Sequence, residues 1–294
     1  MPRRRRADSP QAQLHRRKAE IRVRAARELA ENDSLEEAIR QYEIALELDG
    51  NNPEVRAGLA DAYAVSEMPV EAYRAYTKAL QMHPKSADSH FGLGEFFFNL
   101  GRVRAAARAM QRAVDCKPEK HYYVYRLGEM QALLGDLAKA EESIRRAVSL
   151  SPEDGFYHFK LGDLFFRTSR FEEAISEYLS AITCSPVDDF YHLRLAAAYM
   201  RTSRHDEALA MLERAVLLQP DSRACHYLLG ECLLVVGDEA RAEVCFALAG
   251  ELSEYDADYA RRVQARCTGL CDPDDDFERA TPSGPEGSNT SGGA

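Results

Sequence analysis

Apolar residues recur at helical intervals between residues 87 and 100, with polar residues between them: Phe91, Leu93, Phe96, Phe97 and Leu100. Gly101 follows, and glycine commonly ends a helix at the left-handed position. A second run has the same helical spacing: Val103, Ala106, Ala107, Met110, Ala113 and Val114. It ends before Pro118, because proline cannot continue a helix. The pattern therefore predicts two amphipathic antiparallel helices with short connections.

This pattern returns every 34 residues without an insertion. One alanine column contains Ala38, Ala72, Ala106, Ala140, Ala174, Ala208 and Ala242. A second column contains Ala45, Ala79, Ala113, Ala147, Ala181, Ala215 and Ala249. A column of small residues contains Gly94, Gly128, Gly162 and Gly230, with Ala26, Ala60 and Ala196 at its other places. Such columns predict close helix packing, and a fixed period predicts stacked repeats that bury their apolar faces against their neighbours.

One unit carries the motif residues Leu93-Gly94, Phe97, Ala106, Ala113 and Pro118. In this pattern the chain resembles the tetratricopeptide repeat family, although the first aromatic position holds His90, His158, His192 or His226 instead of Trp. The resemblance implies an all-α, right-handed α-solenoid (a superhelix) of seven 34-residue helix-turn-helix repeats. We interpret the histidine column as packing, because neighbouring repeats lie too far apart for its members to share one metal ion.

The repeat register divides the chain into four predicted regions. Residues 1–18 are expected to form a basic disordered arm, and residues 19–256 the seven repeats. Residues 257–267 are expected to form a C-terminal capping helix, and residues 268–294 an acidic disordered tail. The arm carries a charge of +6, the repeats together with the expected capping helix −11, and the tail −5.

The composition argues against several classes of function. An acidic body is a poor nucleic-acid binder, because phosphate neutralisation needs basic groups. The longest apolar runs are too short to span a membrane. Seven scattered cysteines without paired CxxC motifs favour a reducing, cytoplasmic location. No catalytic constellation, metal site or cofactor motif emerges, so we expect no enzymatic activity, metal or cofactor.

The family resemblance implies a groove along the concave face, lined by the second, fifth, ninth and twelfth residues of each repeat. The predicted partner-binding groove residues are Phe91, Glu95, Phe98, Tyr122, Tyr125, Glu129, Phe156, Phe159, Asp163, Phe166, Phe190 and Tyr227. The rings would anchor a ligand, and the acids would favour basic segments. Alternatively, the rings pack between repeats and the acids solvate a helix face. The basic residues Lys160, Arg167, Arg194 and Arg201 share one face and are interpreted as a solvated flank.

The predicted function is a non-catalytic scaffold or adaptor that binds peptide segments or partner proteins in this groove. The partner is expected to be a protein or peptide, with basic or apolar segments. The alternative is a structural, self-assembling repeat protein that forms homo-oligomers. The Lys, Asn and Arg set with which family members grip carboxylate-ending tails is absent, because its places hold residues such as Phe159 and Asp163.

Overall fold

The computed structural model describes residues 10–50 and 52–251. Within them it contains helices joined by short turns and no strand, in two compact units that divide after Pro152. The first unit contains α1 (Pro10–Glu31), α2 (Leu35–Leu48), α3 (Pro53–Val65), α4 (Pro69–Met82), α5 (Ala87–Asn99), α6 (Val103–Cys116), α7 (His121–Leu133) and α8 (Leu137–Leu150). The second contains α9 (Gly155–Arg167), α10 (Phe171–Cys184), α11 (Asp189–Arg201), α12 (His205–Leu218), α13 (Arg223–Val236) and α14 (Glu239–Glu251).

The helices form consecutive pairs, one pair for each 34-residue repeat. The odd-numbered helix comes first in each pair and packs along the even-numbered helix that follows it. The prediction of an all-α helix-pair repeat is therefore confirmed. The predicted capping helix at 257–267 and the acidic tail at 268–294 lie outside the described residues.

The structure corrects the predicted N-terminal boundary. Helix α1 begins at Pro10, so residues 10–18, which we expected to be disordered, are helical. Proline is favoured in the first turn of a helix, because the N–H group that it lacks would have no hydrogen-bond partner within the helix there. Residues 1–9 of the expected arm lie outside the described part of the chain.

Both alanine columns lie in the core, and every member except Ala249, at 2%, has no solvent exposure. The small-residue column shows why a larger side chain does not fit. A Cβ atom added at Gly162 would lie 2.7 Å from the ring of Tyr178, and one added at Gly94 would lie 2.8 Å from Cγ of Met110. The small residues therefore recur every 34 residues because the two helices of a pair approach closely at this position.

The turn inside each repeat needs a left-handed residue at one fixed position. In the first unit the position holds Asp33, Glu67, Gly101 and Gly135, with φ of 60°, 56°, 70° and 80°. In the second unit it holds Ser169, Ser203 and Gly237, with φ of 58°, 59° and 86°. A side chain makes this conformation costly, by about 1–2 kcal/mol per residue.

The histidine column has a packing role, as predicted. The ring of His90 forms a hydrogen bond from Nε2 to the carbonyl oxygen of Pro84, at 2.9 Å. His226 forms the same bond to Pro220, at 2.8 Å. Because a carbonyl oxygen only accepts, Nε2 carries the proton in both rings. These side chains fasten the odd-numbered helix to the turn that precedes it.

Candidate functional site

In the first unit the predicted groove residues lie on α5 and α7. The Phe91 ring stacks on Tyr123 at a centroid distance of 4.4 Å and contacts Tyr122 at 5.5 Å. Phe91 and Phe98 are half-buried, Tyr122 is 40% exposed, and Tyr125 is only 3% exposed. The expectation that Tyr125 is an accessible anchor is therefore wrong, because its ring belongs to the core. Burial, and then the adjacent carboxylate of Glu129, raise the pKa of Tyr125 far above its usual value.

The two predicted acids of this unit share one guanidinium. Arg126 donates from Nε and Nη2 to Glu95, at 2.8 and 2.6 Å, and from Nη1 to Glu129 at 2.5 Å. Its guanidinium also lies 5.1 Å from the ring centroid of Phe98. Burial disfavours its charge, yet the hydrogen bond to Glu95 and the charge of Glu129 raise the pKa of Arg126 above the usual value. Both carboxylates are therefore paired with Arg126, while each side chain stays 29% exposed.

In the second unit the predicted rings surround Phe159. Phe159 is 4% exposed and contacts Tyr178, Phe190 and Tyr191 at centroid distances of 5.8, 5.2 and 5.0 Å. Phe166 is also buried, so neither ring is an accessible anchor, contrary to the prediction. Phe156 and Phe190 are half-buried, and their exposed parts face solvent.

Tyr227 lies on α13, apart from the Phe159 cluster. It is half-buried, and its ring packs edge-on against Phe246 of α14 at 5.5 Å. Tyr227 therefore packs within its own repeat, and part of its side chain stays exposed.

Asp163 is the acceptor for a buried polar cluster. Its Oδ1 accepts from the Tyr178 hydroxyl at 2.7 Å, and from Nε and Nη2 of Arg194 at 2.9 and 2.7 Å. The Arg194 guanidinium lies 4.9 Å from the Phe166 ring and is 6% exposed. The interpretation of Arg194 as part of a solvated flank is wrong. Burial, and then the charge of Asp163, raise the pKa of Tyr178 well above its usual value.

The two clusters are the same arrangement on the same period. In each, an arginine reaches the carboxylate that lies 31 residues earlier and covers a phenylalanine three residues after that carboxylate. The sequence analysis did not predict a role for Arg126, although it named Lys160 and Arg194 at the same position of the next two repeats. The fixed 31-residue separation of acid and arginine was the signal that would have found the pair.

The remaining bases of the second unit have other surroundings. Lys160 Nζ lies 5.3 Å from the Phe156 ring centroid and 5.6 Å from that of Phe159. Arg167 is exposed, two turns further along α9. Arg201 lies 4.7 Å from the ring of Phe171. Lys160 and Arg201 therefore lie within cation–π distance of aromatic rings.

Charge is distributed unevenly between the helix rows. In the second unit α9, α11 and α13 carry five Lys/Arg and three Asp/Glu, a net charge of +2. Its even-numbered helices α10, α12 and α14 carry two Arg and nine Asp/Glu, a net charge of −7. The odd-numbered helices of this unit thus carry a small positive net charge on an acidic protein.

The first unit lacks this contrast. Its odd-numbered helices α1, α3, α5 and α7 carry eight Lys/Arg and eight Asp/Glu, a net charge of 0. Its even-numbered helices α2, α4, α6 and α8 carry nine Lys/Arg and eight Asp/Glu, a net charge of +1.

A separate groove of about 610 Å³ lies between α4, α5 and α6. Tyr73, Leu93, Phe97 and Arg112 contribute to its lining, and none of the twelve predicted residues does. Among the described residues, no group of three His, Cys, Asp or Glu side chains is arranged to hold a metal ion. In the same part of the chain, no helix has both the length and the apolar composition to cross a membrane.

Solved structures support the fold. The chain is similar to the structure described as the functional characterisation of Pseudomonas aeruginosa PilF, with a TM-score of 0.61 and 18% identity over 70% of this chain and 94% of that one. It is similar to a tetratricopeptide repeat protein from Parabacteroides merdae, with a TM-score of 0.59 and 16% identity over 86% and 99%. It is also similar to YrrB, described as having an unusual peptide-binding site, with a TM-score of 0.54 and 21% identity over 66% and 97%.

No curated protein sequence matches the chain. The family model described as tetratricopeptide repeat matches residues 69–121, 97–155, 134–189 and 193–257, which together make up more than half of the chain. Tetratricopeptide repeats generally mediate protein–protein interaction. The helix pairs, the buried alanine columns and this match agree: the chain belongs to the tetratricopeptide repeat family.

Proposed function

We propose that this protein is a non-catalytic scaffold that binds a segment of a partner protein on the odd-numbered helices. The observation that carries the proposal is the surface formed by Phe156, Lys160 and Phe190, where half-buried rings lie beside a cation. Aromatic rings that keep exposed area dominate binding energy at interfaces, whereas charges chiefly set specificity and association rate.

The chemistry of this surface favours a partner segment with acidic and aromatic residues. Asp163 is already bound by Arg194 and Tyr178, so it adds no demand for a basic ligand. The net charge of +2 on α9, α11 and α13 attracts carboxylates instead. This replaces our sequence-based expectation of a basic partner, which assumed that the acids were available.

The proposal includes a cytoplasmic location. None of the five described cysteines forms a disulfide bond, as is usual in a reducing compartment.

A displayed library of random peptides tests the proposed surface with the full chain as bait. We expect enrichment of acidic, aromatic peptides, with at least tenfold weaker capture by Phe156→Ala with Phe190→Ala. The matched control is Leu179→Ala with Leu217→Ala, which removes exposed apolar side chains from even-numbered helices of the same unit. If both double variants lose capture equally, or no peptide is enriched, the proposed surface is refuted. Circular dichroism checks that helicity is retained.

A second candidate is self-assembly, favoured by the charges of the even-numbered helices. Arg104, Arg108 and Arg112 of α6 are all exposed, and their charge is complementary to the net charge of −7 on α10, α12 and α14. Contacts between copies through these helices would weaken with salt. A light-scattering concentration series at low and high salt tests this. A monomer mass at every concentration in low salt would refute assembly.

A further inference from the structure

The basic face of the second unit is built by two neighbouring odd-numbered helices. Lys160 and Arg167 are two turns apart on one side of α9, and Arg201 is two turns beyond Arg194 on α11. Arg194 binds Asp163 of α9, so the two helices present these side chains together. The half-buried rings of Phe156 and Phe190 lie at one end of this face.

Two charges on this face lack a carboxylate partner in their own unit. Within residues 153 to 251, neither Lys160 nor Arg167 forms an ion pair, whereas Arg194 is held by Asp163. Lys160 lies over aromatic rings, and Arg167 is exposed. A ligand with carboxylates spaced along an extended segment, and with one aromatic side chain, complements this arrangement.

The chain itself carries such a segment. Residues 272–278 read Asp-Pro-Asp-Asp-Asp-Phe-Glu, with five carboxylates around Phe277, the one phenylalanine after residue 251. Phe277 follows the end of α14 by about 26 residues, which span up to roughly 85 Å when extended. The face and the end of α14 belong to the same compact unit. A tether of this length gives an effective concentration on the order of millimolar.

We propose that residues 272–278 bind the basic face of α9 and α11 in the same molecule. Phe277 packs against Phe156 and Phe190, and the aspartates pair with Lys160 and Arg167. The proposal rests on the proposed function, because the segment then competes with a partner for one surface. The protein is thereby autoinhibited, and a partner binds by displacing its acidic segment.

Photo-crosslinking in the full chain tests this contact. With Phe277→p-benzoylphenylalanine, irradiation is expected to join residue 277 to peptides of α9 or α11 within a monomer. Lys160→Glu with Arg167→Glu should lower the yield at least tenfold, as should high salt, because exposed charges are screened. The matched control is Arg108→Glu with Arg112→Glu, which reverses two exposed arginines of α6 and should leave the yield unchanged.

Other cross-linking outcomes overturn the proposal. Cross-links to residues 1–9 would show that the arginine run takes the acidic segment instead. A cross-linked dimer, or no specific product, would refute docking in the same molecule. Peptide capture separates this failure from failure of the proposed function. Asp274→Asn, Asp275→Asn and Asp276→Asn together should raise capture several-fold, whereas unchanged capture that still depends on Phe156 and Phe190 refutes only the autoinhibition.

Discussion

The two compact units share one packing scheme but differ in the charge of their even-numbered helices. In both, an arginine on an odd-numbered helix binds a carboxylate 31 residues earlier and covers a phenylalanine. Yet α2, α4, α6 and α8 of the first unit sum to +1, whereas α10, α12 and α14 of the second sum to −7. Packing residues are constrained by their neighbours, but solvent-facing charges are not. The repeat period therefore explains the fold, and departures from it give the two units different surface charges.

Equivalent positions in different repeats also differ in burial and in turn residue. Phe159 and Phe166 are in the core, whereas their equivalents Phe91 and Phe98 are half-buried. The left-handed turn position holds glycine at Gly101 and serine at Ser203. These differences belong to individual repeats, because each unit has both glycine and non-glycine residues at the turn position.

The largest expected effect comes from removing an equivalent ring in each unit. Phe159→Ala should destabilise the second unit by about 3–5 kcal/mol, because a buried ring is lost and a cavity is left. Phe91→Ala should cost about 1–2 kcal/mol, because its ring is already partly in water. Hydrogen exchange measured separately in each unit checks both values. Equal losses would show that the difference in burial has no energetic consequence.

The arginine clusters provide the second test. Arg126→Met should cost about 3 kcal/mol, because it leaves the carboxylates of Glu95 and Glu129 close together without a cation. Arg194→Met should cost about 2 kcal/mol, because the single carboxylate of Asp163 keeps the hydrogen bond from Tyr178. Thermal unfolding of the two variants shows which substitution is the more destabilising. A larger loss for Arg194→Met would contradict our account of the clusters.

The smallest effects are expected at the turns. Ser203→Gly should stabilise the second unit by about 0.5–1 kcal/mol, because the left-handed conformation no longer strains a side chain. Gly101→Ser should destabilise the first unit by a similar amount. The two substitutions control for each other, because they make opposite changes at equivalent turn positions. Melting temperatures that shift in the same direction would refute the role of turn strain.

Much of the fold was predictable because it is periodic. The buried alanines, the close approach at Gly162 and the turn at Gly101 all follow from fixed 34-residue columns. The boundary at Pro10 was missed, because charge suggested disorder where the helix in fact begins. A local run of arginines and lysines says little about helix formation, since these residues are good helix formers.

The candidate site was only partly predictable. The sequence placed all twelve residues on odd-numbered helices, as the structure has them. It did not distinguish Phe156, which keeps exposed area, from Phe159, which is buried three residues later. Two residues of the same type on one helix face differ in exposure because the neighbouring helix covers one and not the other.

By itself, the sequence determined the helix pairs, their period and the family, because these depend on spacing along one chain. The tertiary structure decided which acids are neutralised and which rings are accessible. Asp163 and Arg194 are 31 residues apart, and their pairing depends on two helices of successive repeats lying side by side. Exposure depends on how helices pack, so the carboxylates of Glu95, Glu129 and Asp163 became part of the packed framework, whereas Arg167 stayed exposed.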